Sequence, residues 1–476
     1  MSKGTSSSTL IRNGTLVCGS GVFKGDILFK GETIQAMGSL PGQKADIHYD
    51  ADGLLVLPGG VDTHVHFNDE FMNTVSVHDY ETGTIAAALG GVTTVIDFSN
   101  QIEGKPLIRT LDKKREEAAG KALIDWGVHP VITRVSSSIL KEIPLLVKQG
   151  APTIKCYTTY RKEGLMVDGA DLRRVIDVLK RSGGRLMVHA EDNDSLEHNI
   201  SLLLKKGRHR AIHHARSRPP SVENAAIRNC IDLAQKSGGS VFIVHMSTAE
   251  GVDLVARARA KGIDITAETC THYLVFTEEK LQRKDGIKWI CSPPLRKKRH
   301  QDKLWEGIRD GRVAMVSSDD AAYSLAAKRM GIDRFDLCPN GIPGVAVRIP
   351  ILFSEGVAEE RLSLVRFVDL VATQPAKQFG LFPKKGILLP GSDADIVLLD
   401  PHLPWIMTEN NHHMATDWNA YSGKTIKGSI RKVFSRGELI VEEGKRLADT
   451  GRGCFVPRYL KNGENGPSFP EVKRHS

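Results

Sequence analysis

The chain has 476 residues, 41% hydrophobic and 25% charged. That balance excludes a disordered or fibrous protein, and the length suits one large α/β barrel with a modest second unit. Its 65 Lys and Arg against 56 Asp and Glu leave a formal charge of +9, a mild excess gathered in short runs such as Lys297-Lys298-Arg299-His300. No aromatic-interleaved basic groove accompanies those runs, so they read as solvated faces and no nucleic-acid partner is expected.

No apolar stretch approaches the roughly 18 residues that argue a membrane span, so no membrane partner is expected. The Ser-rich start lacks the apolar segment of a secretory leader. Seven cysteines (Cys18, Cys156, Cys230, Cys270, Cys291, Cys338 and Cys454) are odd in number and scattered, with no Cys-x-x-Cys. They argue against a disulfide framework or a thiolate zinc site, and for a cytoplasmic protein.

In chain order, the first 57 residues read as short strands punctuated by Gly turns, with Asn13-Gly14 as a hairpin signal. The middle, 58–384, alternates apolar β-branched runs with helix-type stretches. The runs cover 60–64, 92–97, 127–132, 153–155, 185–189, 241–245, 264–268 and 313–317, which makes eight. Helical stretches include 80–89, 170–181, 222–235 and 249–260, and a helical pair over 359–379 would close the outer layer. Eight strands alternating with helices predict a parallel sheet closed into a (β/α)8 TIM barrel. Pro130 makes the third strand the weakest of the eight. The short-strand texture returns over 385–453, so 1–57 and 385–453 together predict one small β-sandwich domain built from both chain ends. The Pro-, Gly- and charge-rich residues 454–476 read as a tail, ordered only if it docks.

The sharpest local signal is His64-Val65-His66 at the end of the first barrel strand. Residues two apart in a strand face one side, so both imidazoles point to the barrel mouth, where such barrels place their chemistry. An isolated His-x-His in a chain with 17 histidines is weak evidence. The other strand ends strengthen it: strand four carries Lys155, strand five ends in His189, strand six in His245, and strand eight runs into Ser317-Ser318-Asp319. Four histidines, a carboxylate and a lysine converging on one mouth point to a metal centre. An ammonium there would be repelled by divalent metal, and burial favours the neutral amine. A neutral amine can take up CO2 as a carbamate, whose two oxygens can bridge two cations.

The set resembles the amidohydrolase superfamily, and specifically the dihydropyrimidinase and D-hydantoinase family of cyclic amidases. The resemblance runs from Asn13-Gly14 to Gly451-Arg452-Gly453. It is carried by the segment 57–66, by 90–98, by the spacing of Lys155 and Tyr160, and by Val188-His189-Ala190-Glu191 and Val244-His245-Met246-Ser247. Asn340-Gly341-Ile342-Pro343-Gly344 and 391–397 also match. Ser217-Arg218-Pro219-Pro220 and Cys291-Ser292-Pro293-Pro294-Leu295-Arg296 favour this family over dihydroorotases.

The resemblance implies that His64, His66 and Asp319 bind the more buried metal and His189 and His245 the other. Lys155, as N6-carboxylysine, would bridge two divalent ions, zinc first among them, with CO2 or bicarbonate as the source of the carbamate. Tyr160 would donate to the developing oxyanion, Ser292 and Asn340 would hold the amide edge of the ring, and Asp319 would carry the proton to the leaving nitrogen. The expected reaction opens a dihydropyrimidine or 5-substituted hydantoin ring to an N-carbamoyl amino acid, in a homotetramer acting on a small cyclic amide.

Two departures bear on which ring is recognised. Asp320 stands where the family commonly has His after the metal-binding Asp, and is expected to place a second carboxylate near the mouth. Gly344-Val345-Ala346-Val347-Arg348 lacks the acidic residue usual in hydantoinases. An allantoinase-like or cyclic-imide hydrolase is therefore an alternative, and Phe67, Phe71 and Met72 are candidates for an apolar wall against a ring substituent. A mononuclear deaminase would dispense with Lys155, and a non-catalytic dihydropyrimidinase-related scaffold would have lost ligands that all stand here.

Overall fold

A computed structural model describes residues 7–19 and 21–460. Residues 461–476 of the expected tail, with 1–6 and Ser20, lie outside the described residues. At the centre, eight parallel strands pair in sequential order: β1 (Gly60–Val65), β2 (Val92–Asn100), β3 (Asp125–Val131), β4 (Thr153–Tyr157), β5 (Arg185–His189), β6 (Val241–Ile243), β7 (Ile265–Cys270) and β8 (Met315–Ser317). A parallel bridge between Val65 and Asp320 closes the ring. The architecture is a (β/α)8 barrel, and its strands read as continuous apolar runs because helices cover the outer face and packed side chains the inner.

The crossover helices start where capping residues stand. Asp79 forms a capping box with Thr82 ahead of helix Tyr80–Leu89, and Asp168 caps Gly169–Ser182, which ends at Gly183 with φ 74°. Strands β6 and β8 are shorter than the sequence suggests. β6 stops at Ile243, before His245 takes the left-handed region (φ 39°), whereas β8 starts late, at Met315, and ends at Ser317 as expected. After β8 the helical layer begins earlier than 359. It runs over Arg348–Leu352 into a wide turn at Phe353–Val357, then from Leu364–Val368 to Gln374–Gln378. The buried Arg348, paired with Asp62 at 3.4 Å, and Pro350 interrupt the apolar period there, which hid this helix.

Pro130 sits inside β3, on a strand whose pairing to β4 is short. The ladder from β3 to β4 is one residue pair, Val131 with Lys155. Lower down, Cys454–Val456 takes the pairing positions instead: Trp126 N–H donates to Cys454 O at 3.0 Å and Val456 N–H to Trp126 O at 2.8 Å. Arg458 is wholly buried, donating to Thr153 Oγ1 at 3.0 Å and to Val128 O.

Strands from both chain ends form one nine-stranded sheet beside the barrel. Strands Gly21–Lys30 and Ser429–Ser435 lie four positions apart in it, about 19 Å in a flat sheet at ~4.8 Å per strand. Yet the rings of Phe29 and Phe434 are 5.6 Å apart, so the sheet curls over its own core of Leu16, Ile27, Val56, Ile396 and Leu398. The two expected layers are thus halves of one continuous sheet. Lys385 joins sheet to barrel: its buried Nζ lies 2.6 Å from Asp125, 2.8 Å from Asp393 and 2.9 Å from Asp395.

Candidate active site

The strand ends meet in a cleft lined by His66, Lys155, Tyr160, His189, His245, Ser292, Asp319 and Asn340, among others. His64 lies just beneath it, fully buried. The four imidazoles are mutually close: ring centroids are 5.4 Å apart for His64 and His66, 5.4 Å for His64 and His245, and 4.5 Å for His189 and His245. Asp319 Oδ1 is 3.0 Å from His64 Nε2 and 3.6 Å from His66 Nε2. Tyr160, His245 and Asp319 all have positive φ (65°, 39° and 49°), a cost of about 1–3 kcal/mol each that non-glycine residues bear at functional sites.

Residues behind the ligand positions orient the rings. Glu268 Oε1 meets His64 Nδ1 at 2.5 Å, and Asp69 Oδ2 meets His66 Nδ1 at 2.9 Å, so each imidazole turns Nε2 toward Asp319. Glu191 Oε2 meets His189 Nε2 at 2.8 Å, leaving Nδ1 for the cleft. Such carboxylate–imidazole pairs set the tautomer of a metal-binding histidine. Arg218 donates to Glu191 at 2.6 Å and lies 5.6 Å from the Tyr160 ring, so one guanidinium serves both a histidine and the oxyanion donor. The sequence alone does not mark Glu268, Asp69, Glu191 and Arg218 as site residues, although Glu191 and Arg218 stand inside the family-like motifs and Asp69 lies three residues after His66.

The electrostatics suit cations. Burial opposes charge on His66, but Asp319 and Asp69 lift its pKa to about 9, and His64 is raised by Asp319 and Glu268 against the same burial. Burial would raise Asp319, yet His64 and His66 hold it well below 3.8. This pocket of anions favours a positive charge between the imidazoles, which a divalent ion would supply. On the other side, burial lowers His189 and His245, so they stand as neutral donors. Among the described residues, two groups of three metal-competent residues have ligand atoms within 4.8 Å of one another: His64, His66 and Asp319, and Cys270, His272 and Asp319.

Lys155 is the decisive case. It is 1% exposed, and its Nζ has ring contacts, 4.9 Å from the centroid of Phe98 and 4.8 Å from that of Tyr157, but no hydrogen bond or ion pair to a described residue. Burial lowers its pKa to about 8. Asp319 and Glu268 oppose this shift from a distance, but with no acceptor in hydrogen-bond reach the buried ammonium is costly, and the neutral amine that carbamylation needs is far more accessible than in a free lysine.

Tyr160 lies at the cleft wall with Asn340 Nδ2 donating to its Oη at 3.3 Å. Burial raises its pKa to about 12 although Arg218 opposes this, so it remains a phenol able to donate. Ser292 is held by His214, whose Nε2 is 3.2 Å from Ser292 Oγ and 2.9 Å from Cys291 O. Phe71 lines the cleft; Phe67 is instead core, packed on Tyr80, and Met72 is not part of the wall. Asp320 departs from expectation, because it leaves the mouth altogether. Its buried Oδ2 meets His78 Nδ1 at 2.7 Å, and its Oδ1 accepts from Gly344 N–H at 2.7 Å and Val345 N–H at 3.1 Å.

The Amidohydrolase family matches residues 55–440. A D-hydantoinase of Geobacillus stearothermophilus is 37% identical over 453 residues, which span 94% of this chain and 96% of that protein. A D-phenylhydantoinase of Escherichia coli is 39% identical over 454 residues, 94% of this chain and 98% of that protein. The crystal structure of dihydropyrimidinase from Brevibacillus agri superposes with a TM-score of 0.93 at 37% identity, covering 95% of this chain and 99% of that one.

Proposed function

The chain belongs to the amidohydrolase family, and from that premise we propose that its barrel mouth opens hydantoin or dihydropyrimidine rings to N-carbamoyl amino acids. It is a hydrolase of carbon–nitrogen bonds in cyclic amides, and it uses divalent metal. We assign two ions per chain, zinc by preference for imidazole, carboxylate and carbamate ligands. His64, His66 and Asp319 would hold one and His189 and His245 the other, and Lys155, as the carbamate, would supply the remaining anionic ligand. The single observation that carries this is the buried Lys155 amine, held by ring contacts but by no hydrogen bond or ion pair to a described residue, among four histidines.

When bound, the metals supply an activated water at neutral pH and an electrophilic contact for the scissile carbonyl. The chain's own groups do the rest. Tyr160, kept protonated by burial, donates to the oxyanion as the carbonyl becomes tetrahedral. Asp319, kept ionised by its histidines, accepts the proton of the attacking water and returns it to the ring nitrogen as the carbon–nitrogen bond breaks. Ser292 and Asn340 hold the amide edge of the ring, largely through main-chain groups.

Two further assignments belong to this reading. The assembly is a homotetramer, supported by resemblance to the hydantoinases, and the compartment is the cytoplasm, supported by scattered cysteines among which no disulfide is found. No described helix is long and apolar enough to cross a membrane. The test is a side-by-side assay of dihydrouracil, hydantoins and succinimide with metal analysis of the same preparation. Ring opening with two ions per chain is expected; one ion in fully active protein, or no ring opened at all, overturns the assignment.

A further inference from the structure

The cleft wall is not uniformly apolar. Phe71, Leu165 and Ala321 line it, but so do Asp69, Asn100, Tyr157 and Tyr323. Asn100 Nδ2 donates to Asp69 Oδ1 at 2.8 Å, while Asp69 Oδ2 meets His66 Nδ1 at 2.9 Å. With its amide nitrogen engaged, Asn100 presents Oδ1 as an acceptor that has no described partner. The Asp69 carboxylate, about 14% exposed, has accepted one bond on each oxygen and has lone pairs left. The hydroxyls of Tyr157 and Tyr323 likewise carry no hydrogen bond to a described residue.

The geometry points to Asp69 and Asn100 as specificity-determining residues that select a ring carrying a short substituent with N–H donors, of the ureido or carboxamide class. This rests on the ring-opening reading and sharpens it. An N–H donor satisfies the acceptors that the wall presents. An alkyl or aryl substituent would cover the same acceptors, strip their water and return no hydrogen bond, and sites built for hydrogen bonding reject such analogues most strongly. Phe71 and Leu165 then pack on the carbon skeleton rather than on an aromatic substituent.

The test compares kcat/KM of the metal-loaded enzyme for hydantoin, 5-ureidohydantoin, 5-isobutylhydantoin and 5-phenylhydantoin. The ureido substrate is expected to exceed the isobutyl and phenyl ones by at least about tenfold, the equivalent of ~1.4 kcal/mol. In Asn100→Leu that ratio falls by about tenfold or more, mostly through KM, while Asn100→Gln keeps part of it. An isobutyl or phenyl substrate matching the ureido one in the wild type overturns the inference without any variant. So does an Asn100→Leu ratio equal to the wild type in folded protein. Failure to open even unsubstituted hydantoin strikes the ring-opening reading itself, and the inference falls with it.

Discussion

Removing the amine of Lys328 is expected to loosen substrate binding without touching the metals. Lys328 lies on the short helix Leu325–Arg329, wholly buried, and its Nζ donates to three carbonyls: Ile290 O at 2.8 Å, Pro339 O at 2.8 Å and Gly341 O at 2.9 Å. No described carboxylate pairs with it. Three acceptors need three N–H donors, so the group is an ammonium even though burial draws its pKa below 10.5. The carbonyls belong to the segments that carry Ser292 and Asn340, so one cation fixes the spacing of both. In Lys328→Met the stem is kept and the donors go. Ile290 O retains the Gly341 N–H at 3.0 Å, which leaves two carbonyls without a strong donor. At about 1–3 kcal/mol each the loss is ~2–6 kcal/mol. Relief from burying an ammonium, several kcal/mol in effect, offsets most of it. Folding stability therefore changes by less than about 3 kcal/mol, while the two segments drift. We expect KM to rise about tenfold or more, with a smaller fall in kcat and unchanged metal content; a displacement on the order of 1 Å is enough for such an effect. Lys328→Gln, with two donors, should fall between. Steady-state kinetics, metal analysis and a thermal melt on the same preparation decide it. A folded Lys328→Met protein with wild-type KM refutes the reasoning, and so does loss of metal in step with KM.

Other outcomes follow from the same geometry. Lys155→Ala is expected to lose ring-opening activity by at least about a thousandfold, since its carbamate is assigned as an anionic ligand of the metals; full activity in that variant would end that assignment. Chelation should abolish turnover, and divalent metal added back with bicarbonate should restore it; activity that survives exhaustive chelation contradicts this. Lys385→Met should invert a pH dependence. Burial would raise the Asp125 pKa, but Lys385 and Arg436 hold it below 3.8, so its stabilisation is present above that pH and lost as pH falls below it. Without the ammonium the buried carboxylate pKa rises, the folded state binds more protons than the unfolded, and stability falls as pH climbs from about 4 to 7. The variant should lose roughly 3–5 kcal/mol at pH 7 and regain melting temperature on acidification to pH 5; a parallel profile for both proteins speaks against it.

What could be seen from sequence were features that a strand writes locally. A period of two puts His64 and His66 on one side, and eight apolar runs alternating with helices imply a barrel whose strand ends share a mouth. What could not be seen were partners brought by closure of the chain. Glu268 lies 204 residues from the histidine it orients, and the tail that pairs along β3 comes from the far end of the chain. No local period reports such contacts. The curled sheet is hidden for the same reason, since its two halves are joined by pairing of residues 55–58 with residues 396–399, more than 330 positions apart.

Asp320 is the instructive exception. Asp319 faces the cleft from a left-handed backbone (φ 49°), and the next residue, Asp320, bridges to Val65 and turns its carboxylate away from the cleft to His78. A change from His to Asp at that position therefore cannot act on the ring directly. It has to be matched by whatever lies behind the strand, and there His78, 242 residues earlier, supplies the imidazole that a buried carboxylate needs. His78 Nε2 in turn accepts from Ala415 N–H at 3.1 Å, so the pair ties the mouth of the barrel to the segment near 415 rather than to the substrate. The groups we propose for specificity lie instead on the cleft wall, Asp69 in the segment after β1 and Asn100 at the end of β2.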